Sequence, residues 1–325
     1  MSTSFKRALE ATNDFAFDLL ERYSDKNLSI VVFGSLAKGI WRKTSDVDII
    51  LLSNDCSFSR NVVVHDGLRF EVYRMPARIF LSPFYGEEEN LFFDMFRLQV
   101  LRTGRILLDQ DGSLSQLCDK LRKQKIPRSY SEAALKRALN QISIAEKNLY
   151  RGNLADAELK LRDCSMNIAR ALLLNMNEPE INTPKLLTPH LREKIPDFFG
   201  FLREIYGLSD VGRSDTERVI EDSLELLRNI RYKFRRDLRA KNIIEKAKTE
   251  ILNAIDCLEI GDYDSAMLQI DFSQSIIKKN LIIKGTRLNF TLPSRFPFLE
   301  KFLVKEYIKD LKEMVNQYLN TWRLK

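Results

Sequence analysis

Cysteine is scarce in this 325-residue chain: Cys56, Cys118, Cys164 and Cys257 stand far apart and form no CxxC pair. That spacing argues against a structural zinc site and fits a reducing, cytoplasmic compartment. Long apolar runs are missing as well. No stretch approaches the roughly 18 residues of a membrane-crossing helix, and the opening MSTSFKRALE has no apolar signal core. The expectation is a soluble cytoplasmic protein with no membrane role. An acidic excess is also absent, since 52 Lys and Arg outnumber 45 Asp and Glu for a formal net charge of +7. That bias favours polyanionic partners such as nucleotides or RNA and says nothing about fold. What is present suffices to build a core. At 44% hydrophobic and 30% charged residues, global disorder is not expected, and at about 150 residues per domain the length corresponds to roughly two.

Residues 4–23 carry Ala8, Phe15, Leu19 and Leu20 at helical spacing and predict a helix. Short β-rich runs follow: LSIVVFG, DVDIILL, VVVHDGLRFEVYRM and a last one around GRILL, punctuated by Gly, Asn and Asp. Helical segments lie between them, including LFFDMFRLQVL from Leu91. Past DQDGSLSQL, periodic apolar and charged residues run to the end, with breaks at Pro127, in NTPKLLTPHL and in TLPSRFPFL. The expected division is a first domain over 1–115 and helical domains over 116–240 and 241–325.

Each helical domain holds one copy of a repeated pattern. SIAEKNLYRGNLADAELKLRDCSMNIARALLL is similar to NAIDCLEIGDYDSAMLQIDFSQSIIKKNLII, with Gly152 set against Gly261. Ala145 then matches Ala254, Leu149 matches Leu258, Ala157 matches Ala266, Leu161 matches Ile270, and Ile168 matches Ile277. Each copy reads as helix, glycine turn, helix. Duplication and independent hairpins with like turns both account for the similarity.

The stretch VVFGSLAKGIWRKTSDVDIILL is different in kind. It places Gly34 and Ser35 at the end of one apolar run and Asp46 and Asp48 at the start of the next. On a strand, Asp46, Asp48 and Ile50 face one way and Val47, Ile49 and Leu51 the other, toward a core. Two carboxylates about 6–7 Å apart on one face can jointly hold a hard divalent cation; left bare, they repel and destabilise the strand. Gly34 permits close backbone approach, and the N–H groups beyond it can receive a phosphate. Ser35 adds a hydroxyl. Lys38, Arg42 and Lys43 add positive charge for a polyphosphate, and Ser45 adjoins Asp46. The plain alternative is Asp46 capping a turn and Asp48 solvated on an edge strand.

Gly-Ser followed, after ten residues, by Asp-Val-Asp between apolar residues resembles the signature of the polymerase-β-type nucleotidyltransferases. GSLAKGIWRKTSDVDIILL is most similar to the minimal and kanamycin-type members. The resemblance implies an α+β fold class: a nucleotidyltransferase fold, with a small mixed sheet and flanking helices, followed here by all-α helical bundles. It also implies a third carboxylate on a later strand, mapped to Glu71 in LRFEVYRM with Asp66 close by. LRTGRILLDQDGSLSQL resembles the strand and turn that close such a domain. By the same resemblance Asp46 and Asp48 bind two Mg²⁺ (or Mn²⁺) ions, and Gly34 and Ser35 hold the β- and γ-phosphates of an NTP, ATP being expected. Glu71 ligates the second ion or acts as base toward the acceptor hydroxyl. The implied activity moves an NMP onto a small molecule, RNA or protein, the last as in antitoxin-like enzymes. A non-catalytic nucleotide sensor that binds RNA or protein is the alternative.

In the helical half, LELLRNIRYKFRRDLRAK sets Arg228, Arg231, Arg235 and Arg239 along one helical face beside Leu227, Ile230, Phe234 and Leu238. That face is either solvated or a phosphate-tracking surface for RNA or a protein partner, with Tyr232 as a stacking ring. The hairpins resemble HEPN-type helical bundles, and the helical part is expected to bind the acceptor or mediate homodimer formation. The arginine-to-histidine ribonuclease motif of those bundles is not evident around His65 or His190. His65 reads as a turn residue satisfied by backbone, and His190 as the start of a helix. Asp94 and Glu87 to Glu89 are candidates for acidity in an acceptor pocket, or simply an exposed loop.

Overall fold

The computed structural model describes residues 3–23, 28–41, 45–54, 56–280 and 299–323. The chain divides into two compact units, Met1–Pro127 and Arg128–Lys325. The first runs α1 (Thr3–Arg22), β1 (Ser29–Phe33), α2 (Gly34–Ala37), β2 (Val47–Ser53), β3 (Ser59–His65), β4 (Leu68–Pro76), α3 (Ala77–Phe80), α4 (Leu91–Thr103), β5 (Arg105–Asp109) and α5 (Ser113–Lys123). The second runs α6 (Arg128–Tyr150), α7 (Leu154–Asn175), α8 (Pro184–Lys194), α9 (Pro196–Tyr206), α10 (Arg213–Lys233), α11 (Leu238–Glu259), α12 (Tyr263–Asn280) and α13 (Lys301–Arg323). The fold class is α+β as expected. The expected borders at 115/116 and 240/241 fall inside α5 and α11.

The five strands form one mixed sheet in the order β3-β4-β2-β1-β5. β2 and β4 run parallel; the other neighbours are antiparallel. One face packs on α1. Phe5, Ala8, Ala11, Phe15 and Leu19 recur every three or four residues along that helix and are buried against Val32, Ile49, Leu51, Phe70 and Val72. The opposite face is covered too. Phe96 of α4 meets Phe33 at 5.5 Å and Tyr73 at 6.0 Å between ring centroids. Ile50 is therefore fully buried, although alternation had set it on the carboxylate side, away from a core. A central strand covered on both faces reads as a nearly continuous apolar run, and β2 is one.

The run VVVHDGLRFEVYRM is a β-hairpin. His65 pairs with Leu68 across the two-residue turn Asp66-Gly67, whose φ angles are +48° and +73°, the mirror-image turn that matches strand twist. Arg7 lies 3.4 Å from Asp66 Oδ1 and holds that turn to α1.

In the second unit the repeat extends to individual hydrogen bonds. The Gly152 N–H donates to Leu149 O at 3.1 Å and that of Asn153 to Asn148 O at 2.9 Å. At the equivalent places, Gly261 donates to Leu258 at 3.0 Å and Asp262 to Cys257 at 2.9 Å. Both glycines adopt a left-handed φ, +78° and +77°, which a side chain would oppose. Ala157 and Ala266 are both fully buried five residues on. The equivalent positions Arg162 and Asp271 also meet, at 3.9 Å.

Three helical expectations change. The break near NTPKLLTPHL lies between α7 and α8 and takes in only Asn182 and Thr183 of that stretch; Pro184 occupies the first turn of α8, and Pro189 lies within it. Proline at a first helical position starts a helix because the N–H it lacks has no partner there anyway. His190 is consequently in the second half of α8. The arginine stripe does not lie on one helix, because α10 ends at Lys233 and α11 starts at Leu238, where the Asp237 carboxylate accepts the Ala240 N–H at 3.0 Å. The TLPSRFPFL break lies, but for Leu299, outside the described residues.

Candidate active site

The site is built at one end of the three inner strands. Phe33, the last residue of β1, is in register with Asp48 of β2, and Asp48 is in register with Glu71 of β4. Two carboxylates thus stand side by side on neighbouring strands, whose backbones are about 4.8 Å apart. After Phe33 the chain turns at Gly34, with φ +71°. A Cβ on Gly34 would strike Asp48 Oδ2. The Asp48 carboxylate therefore lies directly against the main chain that opens α2, and only glycine admits it there. A carboxylate at this position forgoes the roughly 1.5–3 kcal/mol that a buried Val or Leu would contribute. Packing alone does not explain the choice.

Asp46 sits just ahead of β2, half-buried, with Arg69 Nε 3.5 Å from its Oδ1. Glu71 is 4% exposed. Its Oε1 accepts the Tyr73 hydroxyl at 2.9 Å and the Arg60 Nε–H. The Arg60 guanidinium also lies 5.7 Å from the Tyr73 ring centroid. Neighbouring carboxylates repel unless cations intervene, and here Arg69 pairs with Asp46 and Arg60 with Glu71.

Gly34, Asp48 and Glu71 are brought together and Asp46 adjoins them. Ser35 lies in α2 and Lys38 at its end, both half-buried. The Ser45 carbonyl accepts the Trp41 indole N–H at 3.0 Å, which anchors the β1–β2 connection to the core. Arg42 and Lys43 lie outside the described residues. Asp66 is committed to its hairpin turn. Asp94 is buried and bonded to Arg97 at 2.8 Å, so it supports α4 rather than an acceptor pocket, whereas Glu87 to Glu89 are exposed. His65 reaches a side chain rather than backbone, with Nδ1 3.4 Å from Asp18.

Among the described residues, the group of metal-binding side chains whose ligand atoms all lie within 4.8 Å is Glu178, Glu180 and His190, in the helical unit. Lys194 Nζ already sits 3.0 Å from Glu178. Asp46, Asp48 and Glu71 stand wider apart, with Arg60 against Glu71. Their donor set, carboxylate oxygens only, is nonetheless the kind a hard divalent cation takes.

Arg60, Arg69 and Tyr73 are the site residues that sequence reasoning missed. The signal was present: the Asp-Gly turn fixes the hairpin register, which places Arg60 opposite Tyr73, diagonal to Glu71.

Residues 15–91, from within α1 to the start of α4, match the family model of the nucleotidyltransferase domain. The match contains every site residue named above from Gly34 to Tyr73. No curated protein matches the chain. A solved structure of a nucleotidyltransferase-like protein from Exiguobacterium sibiricum 255-15 aligns at a TM-score of 0.42 and 14% identity, over 96% of this chain and 91% of that one. A likeness that weak carries no argument about either unit.

Proposed function

We propose that the nucleotidyltransferase domain of this chain is a working enzyme that moves a nucleoside monophosphate from an NTP, ATP foremost, onto a hydroxyl acceptor. The observation that carries this reading is the Asp48 carboxylate seated on Gly34 with Glu71 in register beside it. Asp46 and Asp48 would hold Mg²⁺ or Mn²⁺, with Glu71 as a third oxygen donor. When bound, the cation supplies positive charge against the triphosphate and the departing pyrophosphate. The rest is done by the chain itself. The backbone after Gly34 and the Ser35 hydroxyl bind the β- and γ-phosphates, and Lys38 adds charge. Glu71, oriented by Tyr73, is placed to take the acceptor's proton once Arg60 moves aside. Positioning and charge are what phosphoryl chemistry asks of a protein.

The second reading, a nucleotide sensor without transfer activity, is favoured by the Arg60–Glu71 pair, which keeps the third carboxylate occupied. The two readings part in one experiment. The purified chain is incubated with each α-labelled NTP, Mg²⁺ and separate pools of small molecules, RNA and proteins. Transfer predicts label in one pool, lost in Asp46→Asn. ATP binding with label in no pool supports the sensor.

A further inference from the structure

The break between α10 and α11 gathers an unusual surface. From Arg228 to Lys241 the chain carries seven basic residues against one acid, Asp237. That acid is engaged as the cap of α11. Arg231 is offset by Glu245 at 3.7 Å. Arg228, Arg235, Arg236 and Lys241 are exposed. Cations in the last turn of α10 suit the helix dipole, but Arg235, Arg236 and Lys241 crowd the positive end of α11, where they oppose it. Helix stability therefore does not account for them. An anionic partner does.

The apolar content identifies which anion. Tyr232 is 75% exposed and Leu238 is 74% exposed. The Arg235 guanidinium lies 5.5 Å from the Tyr232 ring centroid and steadies the ring at the protein surface. Lys233, Phe234, Arg235 and Arg236 line an open concavity of about 710 Å³ beside it. Exposed cations interleaved with a presented aromatic ring are the combination a single-stranded nucleic acid uses, with phosphates on the cations and a base on the ring.

We propose that the α10–α11 turn is a binding surface for single-stranded RNA. Phosphates are held by Arg228, Arg235, Arg236 and Lys241, and a base stacks on Tyr232. The surface does not depend on the catalytic reading, and Asp46→Asn is expected to bind RNA as the parent chain does. The test titrates the full chain into a labelled 20-nucleotide single-stranded RNA of mixed sequence by fluorescence anisotropy, from 50 to 300 mM KCl. Four phosphate contacts predict a slope of log affinity against log salt of about −3. The double variant Arg235→Gln/Arg236→Gln lowers that slope by about 1.4. Tyr232→Ala weakens binding about tenfold at an unchanged slope; circular dichroism confirms that each variant is folded. Absence of binding at 50 mM KCl, or a slope that ignores the double variant, overturns the proposal. So does full RNA affinity in Tyr232→Ala, which removes the stacking role, or polyglutamate binding as tightly as RNA, which points to an acidic protein instead.

Discussion

Replacing Arg60 with glutamine separates two roles for Glu71. The Glu71 side chain is 6% exposed and that of Arg60 35%. Removing one member of a buried ion pair typically destabilises by about 3–5 kcal/mol. Here a third of Arg60 meets solvent, and Tyr73 keeps its 2.9 Å bond to the carboxylate, so roughly 1–2 kcal/mol is expected. That corresponds to a fall of about 4–8 °C in the melting of the sheet unit. If Glu71 is a cation ligand, a divalent ion takes the place of the lost guanidinium. Mn²⁺ at a hundred times its Kd contributes about 2.7 kcal/mol, enough to restore the loss. Arg60→Gln should thus melt lower than the parent without metal, recover with Mn²⁺, and bind Mn²⁺ more tightly because no internal cation competes. Differential scanning fluorimetry with and without MnCl₂, together with Mn²⁺ titration by electron paramagnetic resonance, reads both effects. A melting loss that Mn²⁺ leaves untouched, at unchanged Mn²⁺ affinity, would make Glu71 a structural residue.

Other substitutions probe the same frame. Gly34→Ala adds strain at φ +71° and sets a methyl against Asp48; it should destabilise by about 1–2 kcal/mol and weaken Mn²⁺ binding, and calorimetry showing parental affinity would refute the close approach. Asp94→Ala removes the carboxylate 2.8 Å from the Arg97 guanidinium, which is 2% exposed and also donates to the Phe80 and Ser82 carbonyls, a loss of about 3–5 kcal/mol in urea denaturation. Burial raises the Glu158 carboxyl above its ordinary 4.5 despite Arg162 beside it. A raised folded-state pKa stabilises fully below the ordinary value, and that contribution is lost as pH climbs through the raised one. Glu158→Gln should therefore flatten the decline of helical-unit stability as pH rises above 4.5; an identical pH profile would contradict the assignment.

Much of the sheet unit was legible because its signals are local. Gly34, Ser35, Asp46 and Asp48 lie within one short stretch, and the alternation around Glu71 marks a strand by itself. The partners of those residues depend on strand pairing, which no single run displays. Arg60 and Arg69 emerge only once the Asp66-Gly67 turn fixes the register. Ile50 was misplaced because alternation assumes one solvated face, and here helices cover both. The arginine stripe failed for a different reason. Helical spacing continues through Phe234 to Asp237, but α10 ends at Lys233 and Asp237 caps the start of a second helix, α11. The hairpin repeat was visible because a glycine turn followed by a buried alanine imposes the same demand twice.

The central claim is that Asp46 and Asp48, with Glu71, form the seat of a divalent cation beside the Gly34–Ser35 turn. Anomalous diffraction from crystals soaked with Mn²⁺ and a non-hydrolysable ATP analogue addresses it most directly. The account predicts a manganese peak bound by the Asp46 and Asp48 carboxylates, with the triphosphate lying along Gly34 and Ser35. Manganese found only at Glu178, Glu180 and His190, with none at the aspartates, would contradict it.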